Sequence, residues 1–314
     1  MNGGIHHVTA IAGDPQQNLD FYAGLLGLRL VKVTVNFDDP ETYHLYYGDG
    51  QGRPGSLLTF FAWPGAVHGR AGSSQVRTVS LSVPEGSSEY WVQRLGTHGI
   101  LFEVRARFGD EVISFSDPDR MRVELVANDD RREPWTGGPV PAEHAIRGLH
   151  GVTLAEEEGE RTAALLTGSI GFHKTSESGV RTRFETGRGG PGTIVDLETL
   201  PDLPPGRIAV GSIHHVAFRT SDDAGQREWR EQIARSVPSV TPLIDRHYFR
   251  SIYFREPGGV LFEIATYGPG FAVDEPAGAL GTRLMLPPWL EPQRPHLEDT
   301  LPSLRLPALV KRAA

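Results

Sequence analysis

Residues 211–220, GSIHHVAFRT, and 247–266, HYFRSIYFREPGGVLFEIAT, frame one compact unit near the end of the chain. In the first stretch Ile213, His215 and Ala217 alternate with His214, Val216 and Phe218, the period-two pattern of a strand. In the second, Pro257-Gly258-Gly259 supplies turn chemistry, and VLFEIAT reads as a further strand. The intervening SDDAGQREWREQIARSV (221–237) opens on acidic residues and spaces Trp229 and Ile233 for one face of a short helix. The pattern predicts a β-α-β-β-β unit over 208–267, with His215 on its first strand and Glu263 on its last. A carboxylate buried within VLFEIA needs a cation, a metal or a proton. A divalent metal would satisfy Glu263 and His215 together; a glutamate on the solvent face of an edge strand is the other reading.

The unit recurs. GIHHVTAIAGDPQQNLDFYAGLLGLRLVKVTVNF begins with a strand carrying His6 and His7, and Asp14-Pro15 then starts an amphipathic helix with Leu19, Phe21, Tyr22, Leu25 and Leu26. Gly27 stops that helix, and the strand signals run on to about residue 63. Further copies span roughly 75–127 and 147–199. HHVTA (6–10) and HHVAF (214–218) are nearly one string, as are DPDRMRVELVA (117–127) and EPGGVLFEIAT (256–266). Four repeats of this size make two pairs, each curling its strands into a half-barrel around a cup. The expected class is α+β. The expected division is a domain over 1–127, a linker over 128–147, a second domain over 148–267 bearing most of the metal site, and a Pro-rich tail over 268–314. The apolar residues of that tail predict that it packs on the body or on a neighbour.

Composition narrows the function. A length of 314 residues suits about two domains, and the net charge of −8, with no basic block, argues against a nucleic-acid partner. No apolar run approaches the ~20 residues that span a bilayer, and the N-terminus lacks a signal-peptide pattern, so a cytoplasmic location is expected. Without cysteine there is neither a thiolate nucleophile nor a thiolate ligand, so a metal would be held by His and carboxylates.

The repeated unit resembles that of the vicinal oxygen chelate superfamily, which contains glyoxalases, bleomycin-resistance proteins and extradiol dioxygenases. The HH doublets and the RHYFRSIYFREPGGVLFEIAT run (246–266) resemble most the hydroquinone-type ring-cleaving dioxygenases. The resemblance implies a metal where the first and last strands of paired modules converge. First-strand candidates are His7, Thr78, His150 and His215; last-strand candidates are Phe60, Glu124, Leu197 and Glu263. Module four supplies His215 and Glu263, and the remaining histidine is His7 if modules one and four pair, or His150 if three and four do. The hydroquinone-type pattern favours His7, giving a His7, His215, Glu263 triad for Fe(II) or Mn(II). It also places His6, His214 and Thr9 at the substrate, with Arg246 and Tyr253 facing an aromatic ring and a histidine or tyrosine taking the phenolic proton. The implied partners are a small aromatic substrate and O2, and paired-module proteins suggest a dimer. Two alternatives remain at this point. A glyoxalase-like isomerase or lyase would want a fourth ligand, and a binding or resistance protein would want no metal at all.

Overall fold

A computed structural model of the chain describes residues 3–306. Module one comprises β1 (Ile5–Ala12), α1 (Pro15–Leu19), β2 (Arg29–Asn36), β3 (Asp39–Gly48) and β4 (Leu57–Ala62). Module two comprises β5 (Gln75–Pro84), α2 (Ser88–Thr97), β6 (Phe102–Arg107), β7 (Asp110–Ser116) and β8 (Arg122–Asn128). Module three follows with β9 (Gly148–Glu156), α3 (Glu160–Leu165), β10 (Phe172–Ser178), β11 (Arg181–Thr186) and β12 (Ile194–Thr199). Module four has β13 (Ile213–Thr220), α4 (Asp223–Ile233), β14 (Ile244–Asp245), β15 (Arg250–Arg255) and β16 (Leu261–Thr266).

Local chemistry explains the helices. Asp14 caps α1 by accepting from the Gln17 amide at 2.8 Å, and Pro15 sits at the first turn, where a missing N–H costs nothing. The predicted helix then widens into a π-helical turn over Asp20–Leu25, which keeps Leu19, Phe21, Tyr22, Leu25 and Leu26 all buried. Asp222 caps α4 in the same way by accepting from the Gly225 amide. The buried face of α4 is Gln226, Trp229 and Ile233, and the Gln226 side-chain amide donates to the carbonyls of Arg250 and Ile264. Those bonds seat the helix on the strands that carry the module's acidic residue.

The strands form two eight-stranded sheets, ordered β14-β15-β16-β13-β1-β4-β3-β2 and β10-β11-β12-β9-β5-β8-β7-β6. The half-barrels therefore do not follow the sequential division at residues 127 and 148. Modules one and four share one sheet, through the antiparallel pair β1–β13, and modules two and three share the other, through β5–β9. The reason is edge pairing: the first strand of each module leaves one side open, and the pattern closes outermost with outermost. Helices cover the convex faces over a core that includes Tyr22, Trp91, Trp229, Phe218 and Phe262. Burying each such side chain contributes ~2–3 kcal/mol.

Two contacts tie the halves together, and the C-terminal segment braces the half formed by modules one and four. Arg132, in the segment expected to be a plain linker, donates to the carbonyl of Gly55 at 2.9 Å and to that of Leu149 at 2.7 Å, spanning the two sheets. At another joint the Thr162 hydroxyl lies 2.6 Å from Glu156 Oε2 of β9 and 2.5 Å from Glu256 Oε2 in the β15–β16 turn. The C-terminal segment, as expected from its apolar content, packs on the body, burying Phe271, Leu280, Leu286, Leu290 and Leu297. There the wholly buried Lys32 ammonium of β2 meets Asp274 at 2.6 Å, Glu275 at 2.5 Å and the Phe271 carbonyl at 3.1 Å. Among the described residues no helix is long and apolar enough to cross a membrane.

Candidate metal centre

Each HH doublet sits on a β-bulge. Along β1 and β13 the pairing runs from Ile5–Phe218 to His7–Ala217, so His6 is the extra residue on β1. It runs again from Thr9–His215 to Ala10–Ile213, so His214 is the extra residue on β13. Regular alternation would send neighbouring side chains to opposite faces, whereas a bulge re-aims them. Adjacent imidazoles therefore touch: His6 Nδ1 lies 2.9 Å from His7 Nδ1, and His214 Nδ1 lies 2.8 Å from His215 Nδ1.

Beyond the doublets, the two second histidines converge with Glu263. His7 Nε2 and His215 Nε2 are 3.2 Å apart, and Glu263 Oε2 lies 3.3 Å from the first and 2.9 Å from the second. All three residues are buried, and among the described residues they form the one group of His, Cys, Asp and Glu able to hold a metal. Neighbouring ligands around a small cation with bonds of about 2.1 Å stand ~3 Å apart, so the three separations suit a common ion. The hydrogen-bond network aims lone pairs at that point. The Thr266 carbonyl, 3.1 Å from His6 Nε2, can only accept, so His6 carries its hydrogen there. Burial, reinforced by His7, lowers the His6 pKa to about 3, so its ring is neutral and its Nδ1 accepts from His7. His7 Nε2 is left with a lone pair. Burial also lowers His215, favouring its neutral ring. Glu263 is pushed up by burial, yet His7 and His215 outweigh this and hold it well below the usual carboxylate range. The Ser251 hydroxyl donates to Glu263 Oε1, while Oε2 has no hydrogen-bond partner. A cation fits this donor set.

The other half-barrel is different. His150 lies there, buried, with Nδ1 3.3 Å from the Asn128 amide nitrogen, and takes no part in the triad. The residue of β4 placed like Glu263 is Thr59 and not Phe60. Parallel register sets Thr59 beside Thr9 as it sets Glu263 beside Ala217, while Phe60 packs on Tyr22 in the core. On β12 the register likewise selects Asp196, beside Thr153, over the core residue Leu197. In that second cup guanidinium groups neutralise the acids: Arg183 is bidentate to Asp196 at 2.8 and 3.0 Å, and Arg107 meets Glu124 at 2.7 Å.

The remaining expected residues surround the triad unequally. His6 is 1% exposed, has both ring nitrogens engaged and packs on Phe249, so it faces His7 and no open space. His214 is half-buried and meets Phe61 edge-on; burial, aided by His215, lowers its pKa to about 3. Thr9 is buried, its hydroxyl 2.8 Å from that of Thr59. Tyr253 stands opposite Glu263 across β15–β16 and edge-on to His215, and its hydroxyl accepts from Arg246 Nε at 3.1 Å. Burial, with Glu263, raises the Tyr253 pKa, so it remains a phenol. Sequence reasoning missed His44 and Tyr46, which continue the polar chain: His44 Nε2 is 2.9 Å from Thr59 Oγ1 and His44 Nδ1 is 2.9 Å from the Tyr46 hydroxyl. It also missed Ser251 and Phe249, whose ring lies 5.2 Å from that of His7. The alternation of His44 and Tyr46 along β3 is the one signal that could have placed both on the cup side.

Comparison with known proteins agrees with this architecture. A family model described as the Glyoxalase/Bleomycin resistance protein/Dioxygenase superfamily matches residues 4–125. The chain is 45% identical over 299 residues to MhqO of Bacillus subtilis, provisionally named a ring-cleaving dioxygenase, covering 95% of each. It is 34% identical to the chlorohydroquinone/hydroquinone 1,2-dioxygenase of Sphingobium indicum, again covering 95% of each. Among solved structures, a Bacillus subtilis protein provisionally named a dioxygenase superposes with a TM-score of 0.92 at 44% identity, over 96% of this chain and 97% of that one. The chain belongs to the glyoxalase/bleomycin resistance/dioxygenase superfamily and within it is most like the ring-cleaving dioxygenases.

Proposed function

We propose that this protein is a ring-cleaving dioxygenase that opens a hydroquinone-like aromatic with O2, using Fe(II) or Mn(II) held by His7, His215 and Glu263. The observation that carries the reading is the convergence of two imidazole nitrogens and a carboxylate oxygen, the latter without a hydrogen-bond partner, within one buried cup. Two imidazoles and one carboxylate leave coordination positions for substrate and oxygen, and their hard and intermediate donors suit these metals. A relative that covers nearly the whole chain and is named for hydroquinone cleavage supports the same substrate class. At the position where an isomerase-type fourth ligand would stand, Thr59 offers only a hydroxyl already bonded to Thr9 and His44.

The metal, when bound, supplies the redox chemistry that couples oxygen to the ring. The chain supplies orientation. With His215 Nε2 given to the cation, its Nδ1–H donates to His214 Nδ1, and His214 then presents an N–H at Nε2. Tyr253 presents a phenolic O–H beside Glu263. Both groups are thereby set to donate to substrate oxygens, in contrast to the expectation that one of them takes the phenolic proton. Phe249 and His6 exclude water from behind His7.

Elemental analysis of protein purified without oxygen, followed by an oxygen-electrode assay with hydroquinone after adding Fe(II), tests the reading. About one iron or manganese per chain, with oxygen uptake that disappears in His215→Ala, is the expected result. Nickel or zinc without uptake would overturn it in favour of isomerase chemistry.

A further inference from the structure

Arg246 is engaged before any substrate arrives. Its Nη1 donates to Asp38 Oδ1 at 3.0 Å, its Nη2 lies 2.9 Å from Asp38 Oδ2, and its Nε donates to the Tyr253 hydroxyl. The guanidinium also lies over the Tyr253 ring, 5.2 Å from its centroid. Asp38 belongs to the β2–β3 turn, whereas Arg246 follows β14, and β2 and β14 are the opposite edges of the sheet that carries the triad. The pair therefore spans the open side of the half-barrel. Asp38 is held there by its own turn, where its amide donates to Asn36 Oδ1, and by the neighbouring Phe37 packed toward Tyr248 and Trp289.

We propose that Asp38 is a specificity-determining residue whose carboxylate fills the fork of Arg246 and so disfavours substrates with an anionic ring substituent. This rests on the diphenol reading above. A planar guanidinium offers two parallel donors that suit one carboxylate, and Asp38 already occupies that face. An anionic substituent must displace Asp38 and face its freed charge, whereas an uncharged diphenol leaves the pair intact and meets His214, Tyr253 and the triad. Asp38 is 70% exposed, so Asp38→Asn opens no cavity, and the asparagine oxygen can still accept from the Arg246 guanidinium, which is 19% exposed.

The test uses the metal-loaded full-length protein without oxygen, titrated calorimetrically with hydroquinone and with 2,5-dihydroxybenzoate, the same ring bearing a carboxylate. Wild type is expected to bind hydroquinone the more tightly. Asp38→Asn is expected to tighten 2,5-dihydroxybenzoate about fivefold, the scale of a part-exposed ion pair, with hydroquinone changed less than twofold. The gain should vanish in Asp38→Asn/Arg246→Met. An unchanged ratio of the two affinities in Asp38→Asn, with hydroquinone still bound, overturns the role of Asp38 alone. Failure of metal-loaded wild type to bind either ring overturns the diphenol reading and this proposal with it.

Discussion

His6 meets His7 nitrogen to nitrogen, Nδ1 to Nδ1 at 2.9 Å, and the Thr266 carbonyl behind His6 decides which ring carries the hydrogen between them. A backbone group on the last strand thus sets the tautomer of a candidate ligand on the first. Such supporting bonds typically contribute ten- to a hundredfold to metal affinity. His6→Leu should weaken Fe(II) or Mn(II) binding by that factor while the fold persists, and His6→Gln, whose side-chain oxygen can still accept from His7, should recover most of it. Competition with a coloured chelator reads both variants. Equal affinity in wild type and His6→Leu would show that the contact is packing alone.

Glu263 divides its two oxygens between Ser251 and the triad. Glu263→Gln keeps the shape and removes the negative charge, so metal affinity should fall by at least a hundredfold, more than loss of any supporting group. Ser251→Ala frees only the far oxygen and should lower affinity by up to about tenfold. Anaerobic metal titration separates the two, and a Ser251→Ala loss as large as that of Glu263→Gln would contradict the division of labour.

The Glu156–Thr162–Glu256 joint predicts a pH dependence unrelated to catalysis. One threonine hydrogen cannot serve two ionised carboxylates, and the Gly258 and Val260 amides donate to Glu256 alone. Burial, together with Glu256, raises the Glu156 pKa from 4.5 to about 8. The folded protein therefore holds this proton more tightly than the unfolded chain, so the stabilisation is complete below about pH 4.5 and is lost as pH rises to about 8. Glu156→Gln should remove that slope and stabilise the protein at pH 8 by roughly 2–4 kcal/mol. Denaturant melts at a series of pH values measure it; parallel curves for wild type and variant would refute the shared proton.

Lys32 neutralises two carboxylates where the C-terminal segment meets β2. Lys32→Met fills the space but strands Asp274 and the buried Glu275, a loss of about 3–5 kcal/mol for a broken buried pair. The variant should melt earlier and become sensitive to proteolysis after Thr266. A melting temperature within a degree of wild type would mean that apolar contacts alone secure the segment.

Much of this is legible in the amino-acid sequence. The repeated HH strings and the glutamate in VLFEIA located the triad, because a charged or metal-binding residue in an apolar strand stands out against its neighbours. The bulges were not legible, since an extra residue exists only relative to the strand it pairs with. The same lack of register made Phe60 look equivalent to Glu263 when Thr59 holds that place. His44 and Tyr46 read as an unremarkable alternating strand, and Asp38 as a turn residue, because their partners lie on distant modules. Chain order alone makes a sequential division look natural, while the resemblance, by favouring His7, implies that modules one and four pair, as the shared sheet shows.

That nesting has a consequence for how the molecule is made. Modules two and three are adjacent in the chain and can complete their sheet while module four is still on the ribosome. His7 must wait for His215, 208 positions later, so the candidate metal centre is among the last parts of the protein to form. Until then β1 has an unpaired edge beside its apolar neighbours, a stretch for which a chaperone has more use than an enzyme has. The triad can thereby assemble only once module four is made, and a chain truncated after module three lacks both His215 and Glu263.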